Sequence, residues 1–347
     1  MIEFSGDYSE GAHPRLLNRL VETNMEQTFG YGRDRYCAEA VKTIRKACQN
    51  DDVDVHMVVG GTLANTIAIA AALRPHQGVI APVSAHINVQ ETGSIEAAGH
   101  KILTIPGENG KITAAQIDKV CEEYLENNGN VHVVQPKMVC LTHATEYGTI
   151  YGRKELQVIS DVCRKRDLYL YIDGARIGYG VAAVDSDMDL PFIAKCCDVF
   201  CIGGSKQGAF FGEAVVVKNK YIADGFRQVM KQRGGLLAKG RLLGIQFHEL
   251  LVDGLYFELS RHANKMAASI RGCLQANGIK FFVENTTNLL FPILPDNLYG
   301  ELSKKYSLTY CGRHDDKSSI VRIATSWATT ERNVQLLNSD ISAIMQR

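Results

Sequence analysis

The chain has 347 residues, enough for two domains or for one large α/β domain carrying a smaller one. Its 38 basic and 38 acidic residues cancel, which removes any electrostatic reason to expect a nucleic-acid or anionic-membrane partner and leaves small polar metabolites as the default ligands. Hydrophobic content is 46%, ordinary for a globular protein, and no uninterrupted apolar stretch reaches membrane-spanning length.

In chain order, a Gly- and Pro-containing arm over residues 1–15 leads into a helix with Pro14 in its first turn, ahead of RLLNRLVETN. From residue 53 onward, apolar runs of strand length (DVHMVVGG, GVIAPV, HKILTIP, MVCLTHA, LYLYIDGA, DVFCIGG, GEAVVVK) alternate with longer segments of helical period. In GRKELQVISDVCRKRD, for example, Leu156, Ile159 and Val162 share one face and charges occupy the other. Strands apolar on both faces, separated by helices, predict a mostly parallel sheet covered by helices. The stretch after Tyr221 reads as mainly helical up to about Asn277, after which KFFVEN, NLLFPIL and SIVRIAT read as strands. The expected organisation is an arm at 1–15, a large domain at 16–240 and a smaller C-terminal α/β domain at 241–347.

Ten cysteines are present. They are scattered apart from Cys196, Cys197 and Cys201, and several sit in apolar runs where a reduced cysteine packs as a small hydrophobe. No paired CxxC or spaced His pair accompanies them, so neither a disulfide framework nor a metal site is expected. The polar N-terminus, MIEFSGDYSEGAHP, has no apolar signal core, and a reducing cytoplasm is the expected compartment.

The strongest chemical signal lies in YLYIDGARIG and DVFCIGGSKQGAFFGEAVV. Each is a buried strand running into a turn, and the turns present Asp173 and Lys206. Ligand crevices of open parallel sheets lie outside the carboxyl ends of the strands, so the two residues are expected to face one pocket. A partly desolvated lysine is suited to form an imine with an aldehyde. A carboxylate opposite a pyridine nitrogen keeps that nitrogen protonated, so the ring can accept electrons from a carbanion. Alone, Asp173 reads as a helix cap and Lys206 as a solvated loop residue; together, with two glycines before the lysine, they point to pyridoxal phosphate. A second signal is VVGGTLANTIAIAAAL, where a strand enters Gly60-Gly61-Thr62 and a helix follows. Free amides at a helix N-terminus suit a phosphate ester, although the segment has neither GKT nor GxGxxG.

The set GGTLAN, HINVQETG, LTHATEYGTIY, YIDGAR and GGSKQG, in that order, resembles the threonine aldolase and β-eliminating lyase family of fold-type-I pyridoxal-phosphate enzymes. The resemblance covers nearly the whole chain, and DGAR followed by lysine 33 residues after its Asp is the most specific part. It implies a homodimer or homotetramer with sites at the subunit boundary, acting on a small amino acid. Gly61 and Thr62 then fall at the phosphate, His86 over the pyridine ring, Asp173 at the ring nitrogen, Arg176 near the ring hydroxyl and Lys206 on the aldehyde carbon. Arg322, in SIVRIATSW, matches the family's substrate-carboxylate arginine, a role suited to a planar guanidinium. Tyr31, in YGRDRYCAEA, matches a segment that reaches an active site, and Arg233 or Lys239 falls where the family contacts the phosphate.

Two departures concern the substrate side. The family's F-R-S-D-T signature is matched by Phe4-Ser5-Gly6-Asp7-Tyr8, so its serine contact is lost or supplied by Ser5. A family histidine is matched by Glu146, with His143 slightly upstream. The resemblance implies cleavage of β-hydroxy-α-amino acids of the L-threonine or L-allo-threonine type to glycine and an aldehyde, through a Schiff base on Lys206. His86, Glu146 and a bound water are the alternatives for the base. Rival expectations are a β-eliminating lyase or aminotransferase on another amino acid, and a pyridoxal-phosphate-binding protein without turnover.

Overall fold

A computed structural model describes residues 1–126 and 131–346. Its strands are β1 (Ile2–Glu3), β2 (Asp54–Val58), β3 (Gln77–Pro82), β4 (Ile102–Ile105), β5 (Gln135–Thr142), β6 (Tyr169–Asp173), β7 (Val199–Gly203), β8 (Glu213–Val217), β9 (Leu289–Leu290), β10 (Ile293–Pro295), β11 (Tyr306–Ser307), β12 (Thr309–Asp315) and β13 (Ser318–Ala324). The seven apolar runs expected between residues 54 and 218 form one seven-stranded sheet in the order β2-β8-β7-β6-β5-β3-β4. Every neighbouring pair from β7 to β4 is parallel, and β8 runs against both β7 and β2. The fold is therefore α/β with a mostly parallel central sheet.

Alternation along these strands decides what meets what. In β6, Leu170 and Ile172 enter one apolar core while Tyr171 enters the other. Phe200 and Ile202 of β7 follow the first pair; Val199 and Cys201 follow Tyr171. Both faces are thus covered, which is why the strands read as unbroken apolar runs. The helix Gly61–Ala72 covers the Tyr171 face through Ala64, Ile67 and Ala68. Asp173, two residues beyond Tyr171, has the same parity and lies toward that helix.

The first core also takes Leu243, Phe247, Leu250 and Leu251 of the helix Arg241–Leu251, together with Tyr256 and Leu259. The next helix, Leu255–Ala276, then contributes Met266, Ala267, Ile270 and Leu274 to a separate, smaller core. The change of core falls inside this long helix. The N-terminal arm belongs to the smaller core: Phe4 is buried there, and β1 pairs in parallel with β11.

The small sheet departs from expectation in two places. KFFVEN forms no strand, keeping only an isolated bridge between Phe281 and Pro292. The polar, largely exposed Thr309–Asp315 pairs with β13 instead. No helix among the described residues is long and apolar enough to cross a membrane.

The end of β6 tolerates no extra atom. A Cβ on Gly174 would stand 1.7 Å from the Cys201 carbonyl oxygen, a backbone atom that cannot swing aside. Gly174→Ala should therefore cost on the order of 3 kcal/mol or more in urea unfolding. Gly272→Ala, on the open face of the long helix with nothing within 4 Å, should instead raise stability by roughly 0.4–1 kcal/mol.

Candidate active site

Asp173 ends β6 opposite Thr142 of β5, and Lys206 follows three residues after β7 ends at Gly203. The Lys206 turn is pinned from several sides. Tyr256 donates its hydroxyl to the Gly203 carbonyl at 2.8 Å, Tyr179 donates to the Lys206 carbonyl, and Ser205 Oγ accepts the Gly212 amide at 3.0 Å. Burial lowers the Lys206 amine below the ordinary lysine range and nearby Arg176 adds to this, while Asp7, Glu213 and Asp173 pull the other way. A larger share of neutral amine is what a nucleophilic lysine requires. Glu213, at the start of β8, is pushed up to about 8 by burial, against the pull of Lys206.

Asp173 is held from two sides. Its Oδ1 accepts the Ala175 amide at 3.0 Å, and its Oδ2 accepts from Asn65 Nδ2 at 2.9 Å. The same Asn65 nitrogen donates to Glu91 Oε1 at 2.6 Å, and Glu91 Oε1 lies 2.8 Å from His86 Nδ1. His86 also gives its backbone amide to Glu146 Oε1 at 2.8 Å, an oxygen that accepts Thr142 Oγ1 at 2.7 Å as well. Burial raises the Glu146 carboxyl, and its Oε2 is enclosed without a partner. His86, Glu146, Asp173 and Lys206 are thus brought to one end of the sheet. His143 faces the interior instead: both ring nitrogens lack partners, and burial lowers the imidazole to about 4, leaving it neutral.

Arg176 makes a two-pronged pair with Asp7, Nε to Oδ2 at 2.7 Å and Nη2 to Oδ1 at 2.9 Å, and Asn288 Nδ2 adds a bond to Asp7 at 3.0 Å. Burial works to raise the Asp7 carboxyl, but Arg176, Lys206 and these bonds outweigh it and hold it at about 2. Arg322 donates from Nη2 to the Ser5 carbonyl at 2.8 Å, leaving its buried Nε without a partner. The Ser5 hydroxyl is engaged by Glu3. At Gly6, a Cβ would meet the Tyr8 ring at 3.4 Å, so that ring borders the space a serine side chain would enter.

Tyr31 lies elsewhere. Arg227 Nη2 donates to its carbonyl at 2.9 Å, Lys231 sits 4.8 Å over its ring, and with Phe29 and Arg33 they line an open cavity of about 650 Å³. Arg233 is half-buried with Nε unpartnered, and Lys239 is exposed.

Sequence reasoning alone does not single out Asn65, Glu91, Asp7 or Glu213. Asn65 carries one usable signal, as a polar residue one turn beyond Gly61 in an otherwise Ala- and Ile-rich helix.

The donor set could hold a phosphorylated pyridine aldehyde. Gly60 and Gly61 have nothing within 4 Å of where a Cβ would sit, no side chain caps the helix, and its first amides open onto this space. Asp173 offers a carboxylate, Lys206 an amine and Arg322 an unpartnered guanidinium nitrogen. Among the described residues, no group of three or more His, Cys, Asp or Glu could hold a metal ion.

Comparison with known proteins gives a consistent family. The beta-eliminating lyase model matches residues 9–295. A low specificity L-threonine aldolase from a Pseudomonas species is 31% identical over 99% of this chain and 98% of its own, and one from Pseudomonas aeruginosa is 30% identical with the same coverage. A solved threonine aldolase from Leishmania major shares 41% identity, covers 99% of this chain and 100% of its own, and superposes with a TM-score of 0.96. Aspartate aminotransferase from Thermus thermophilus, at 12% identity, 99% and 91% coverage and a TM-score of 0.72, shares the fold.

The Asp7–Arg176 pair makes acid stability testable. The folded value near 2 lies below the ~3.9 of an unfolded aspartate. The stability it contributes is complete above about pH 4 and is lost as pH falls through the folded value, on the order of 2 kcal/mol in all. Asp7→Asn should flatten this limb of a melting-temperature-versus-pH curve. At pH 7 it should cost about 3–5 kcal/mol, because Arg176 is left as an unpaired buried cation.

Proposed function

The chain belongs to the beta-eliminating lyase family, and on that premise we propose that it is a pyridoxal-phosphate-dependent aldolase. It cleaves β-hydroxy-α-amino acids of the L-threonine or L-allo-threonine type to glycine and an aldehyde. The observation that carries this reading is the convergence of Lys206, Asp173 and an open helix N-terminus at one end of the sheet, with a guanidinium, Arg322, left one donor short. The names of the similar proteins supply the reaction class.

Gly61 and Thr62 would hold the phosphate, Asp173 the ring nitrogen, Arg176 the ring hydroxyl side and Lys206 the aldehyde carbon. When bound, pyridoxal phosphate supplies an electron-accepting ring conjugated to the substrate amine. Arg322 takes the substrate carboxylate through guanidinium hydrogens that Ser5 does not hold and thereby fixes the α-carbon bonds in space. His86 shares its Nδ1 side with Glu91 and keeps Nε2 available to remove the β-hydroxyl proton. Glu146, with one oxygen committed to the His86 amide and Thr142 and the other enclosed in the protein, is the less accessible candidate. Tyr31, held on the Arg227–Lys231 surface, serves a neighbouring subunit of a homodimer or homotetramer. The exposed Met25 and Phe29 of the same segment suit burial there.

Incubation with L-threonine, L-allo-threonine and β-phenylserine should release glycine and aldehyde in equal amounts. Lys206→Ala should abolish the reaction, and His86→Asn should lower it by roughly 10²–10⁴-fold. Ammonia and a keto acid as products, without glycine, would replace this reading with elimination or transamination.

A further inference from the structure

Two carboxylates of the site converge on a single amide nitrogen. Asp173 Oδ2 and Glu91 Oε1 each accept from Asn65 Nδ2, at 2.9 and 2.6 Å, and all three residues are buried. Carboxylates this close in a dry environment ordinarily share a proton, since both cannot ionise unassisted. Here each receives one of the two amide hydrogens instead, and an ionised carboxylate is an acceptor only.

The orientation of that amide is not free. Turned over, it would set a carbonyl oxygen against two carboxylates. It is fixed from behind as well, because Tyr171 OH donates to Asn65 Oδ1 at 2.5 Å and itself lies 3.1 Å from Cys201 Sγ. With its proton committed to Asn65, the Tyr171 oxygen is left to accept from the thiol. Hydrogen positions are therefore determined along the line from Cys201 to Tyr171 to Asn65 and on to both carboxylates. On the far side, Glu91 accepts Ser94 Oγ on Oε2 at 2.7 Å and faces His86 Nδ1 on Oε1 at 2.8 Å. Glu91 can only accept, so Nδ1 carries the hydrogen, and in the neutral imidazole Nε2 is the bare nitrogen.

We propose that Asn65 is a positioning residue that keeps Asp173 and Glu91 from sharing a proton, and so sets the charge opposite the cofactor ring and the tautomer of His86 together. The link to catalysis rests on the cofactor reading above; the hydrogen-bond logic does not. Other charged or titratable groups also act on the pair. Lys206, Glu213 and Glu146 interact with Asp173, and the thiols of Cys140 and Cys201 lie within electrostatic range of both carboxylates. None of these donates to both carboxylates as Asn65 does.

The first measurement needs no cofactor: ¹⁵N spectra of histidine-labelled protein, with the His86 signal identified by its loss in His86→Gln. In wild type, at a pH where the ring is neutral, Nδ1 should be protonated and Nε2 bare; the reverse tautomer overturns the proposal. In Asn65→Ala the Nδ1–H form should lose its dominance, and the pH midpoint of the bound cofactor's absorbance band should move by a unit or more. Tyr171→Phe leaves the amide in place but unpins it, and should move both readouts in the same direction by less. A purely structural role would lower melting temperature in these variants while leaving tautomer and midpoint as in wild type, and that result also overturns it. Neither readout requires turnover, so a chain that failed to release glycine would still test the role of Asn65.

Discussion

Asp7, Glu91, Asp173, Arg176, Lys206 and Glu213 are gathered where β6, β7 and β8 meet the start of the helix Gly61–Ala72, largely out of reach of water. An isolated charge in such a place costs several kcal/mol, so the surrounding structure has to answer each one with a partner or a shifted protonation state. Arg176 is answered by Asp7 from the N-terminal arm, and Asp7 in turn by Asn288 from the small domain. Asp173 and Glu91 are answered by Asn65. Lys206 and Glu213 are left less completely matched, and burial pushes each toward its neutral form. The unmatched pair sits where chemistry is expected, as stored electrostatic imbalance commonly does.

The surroundings of Arg322 are built differently. Arg322 is tethered by one nitrogen to the Ser5 carbonyl and keeps another unpartnered, so its guanidinium is oriented without being saturated. The arm that supplies Ser5 also supplies Gly6 and Tyr8, and an aromatic ring borders the space opened by the glycine. Contacts around Asp173 and Lys206 come from strand ends and a buried helix, whereas those around Arg322 come from an arm and the small sheet. The first set is held from several sides, and the second can change without disturbing it.

Much of this is legible in the sequence, for identifiable reasons. The inner strands β6 and β7 are buried on both faces and bounded by turn residues, and both Asp173 and Lys206 follow from such runs. The small domain is harder to read. Thr309–Asp315 is a strand paired through its backbone, mostly exposed and without alternating apolar residues, while KFFVEN has the composition of a strand but no partner beyond one bridge. Asn65, Glu91 and Asp7 cannot be found from spacing, because their importance lies in contacts across 26, 108 and 169 residues of chain. A single continuous helix serves both cores, and no break in its sequence marks the change.

The N-terminal arm also bears on how the molecule is made. Its first strand pairs with Tyr306–Ser307, and Asp7 receives its third bond from Asn288, so the earliest residues of the chain find their places only beside some of the latest. On a ribosome, the large sheet can emerge and collapse while the Arg176 guanidinium still waits for its counter-ion to be fixed in place. The nascent enzyme would thus be mechanically complete at its centre yet chemically silent until Asn288 and Tyr306 have emerged.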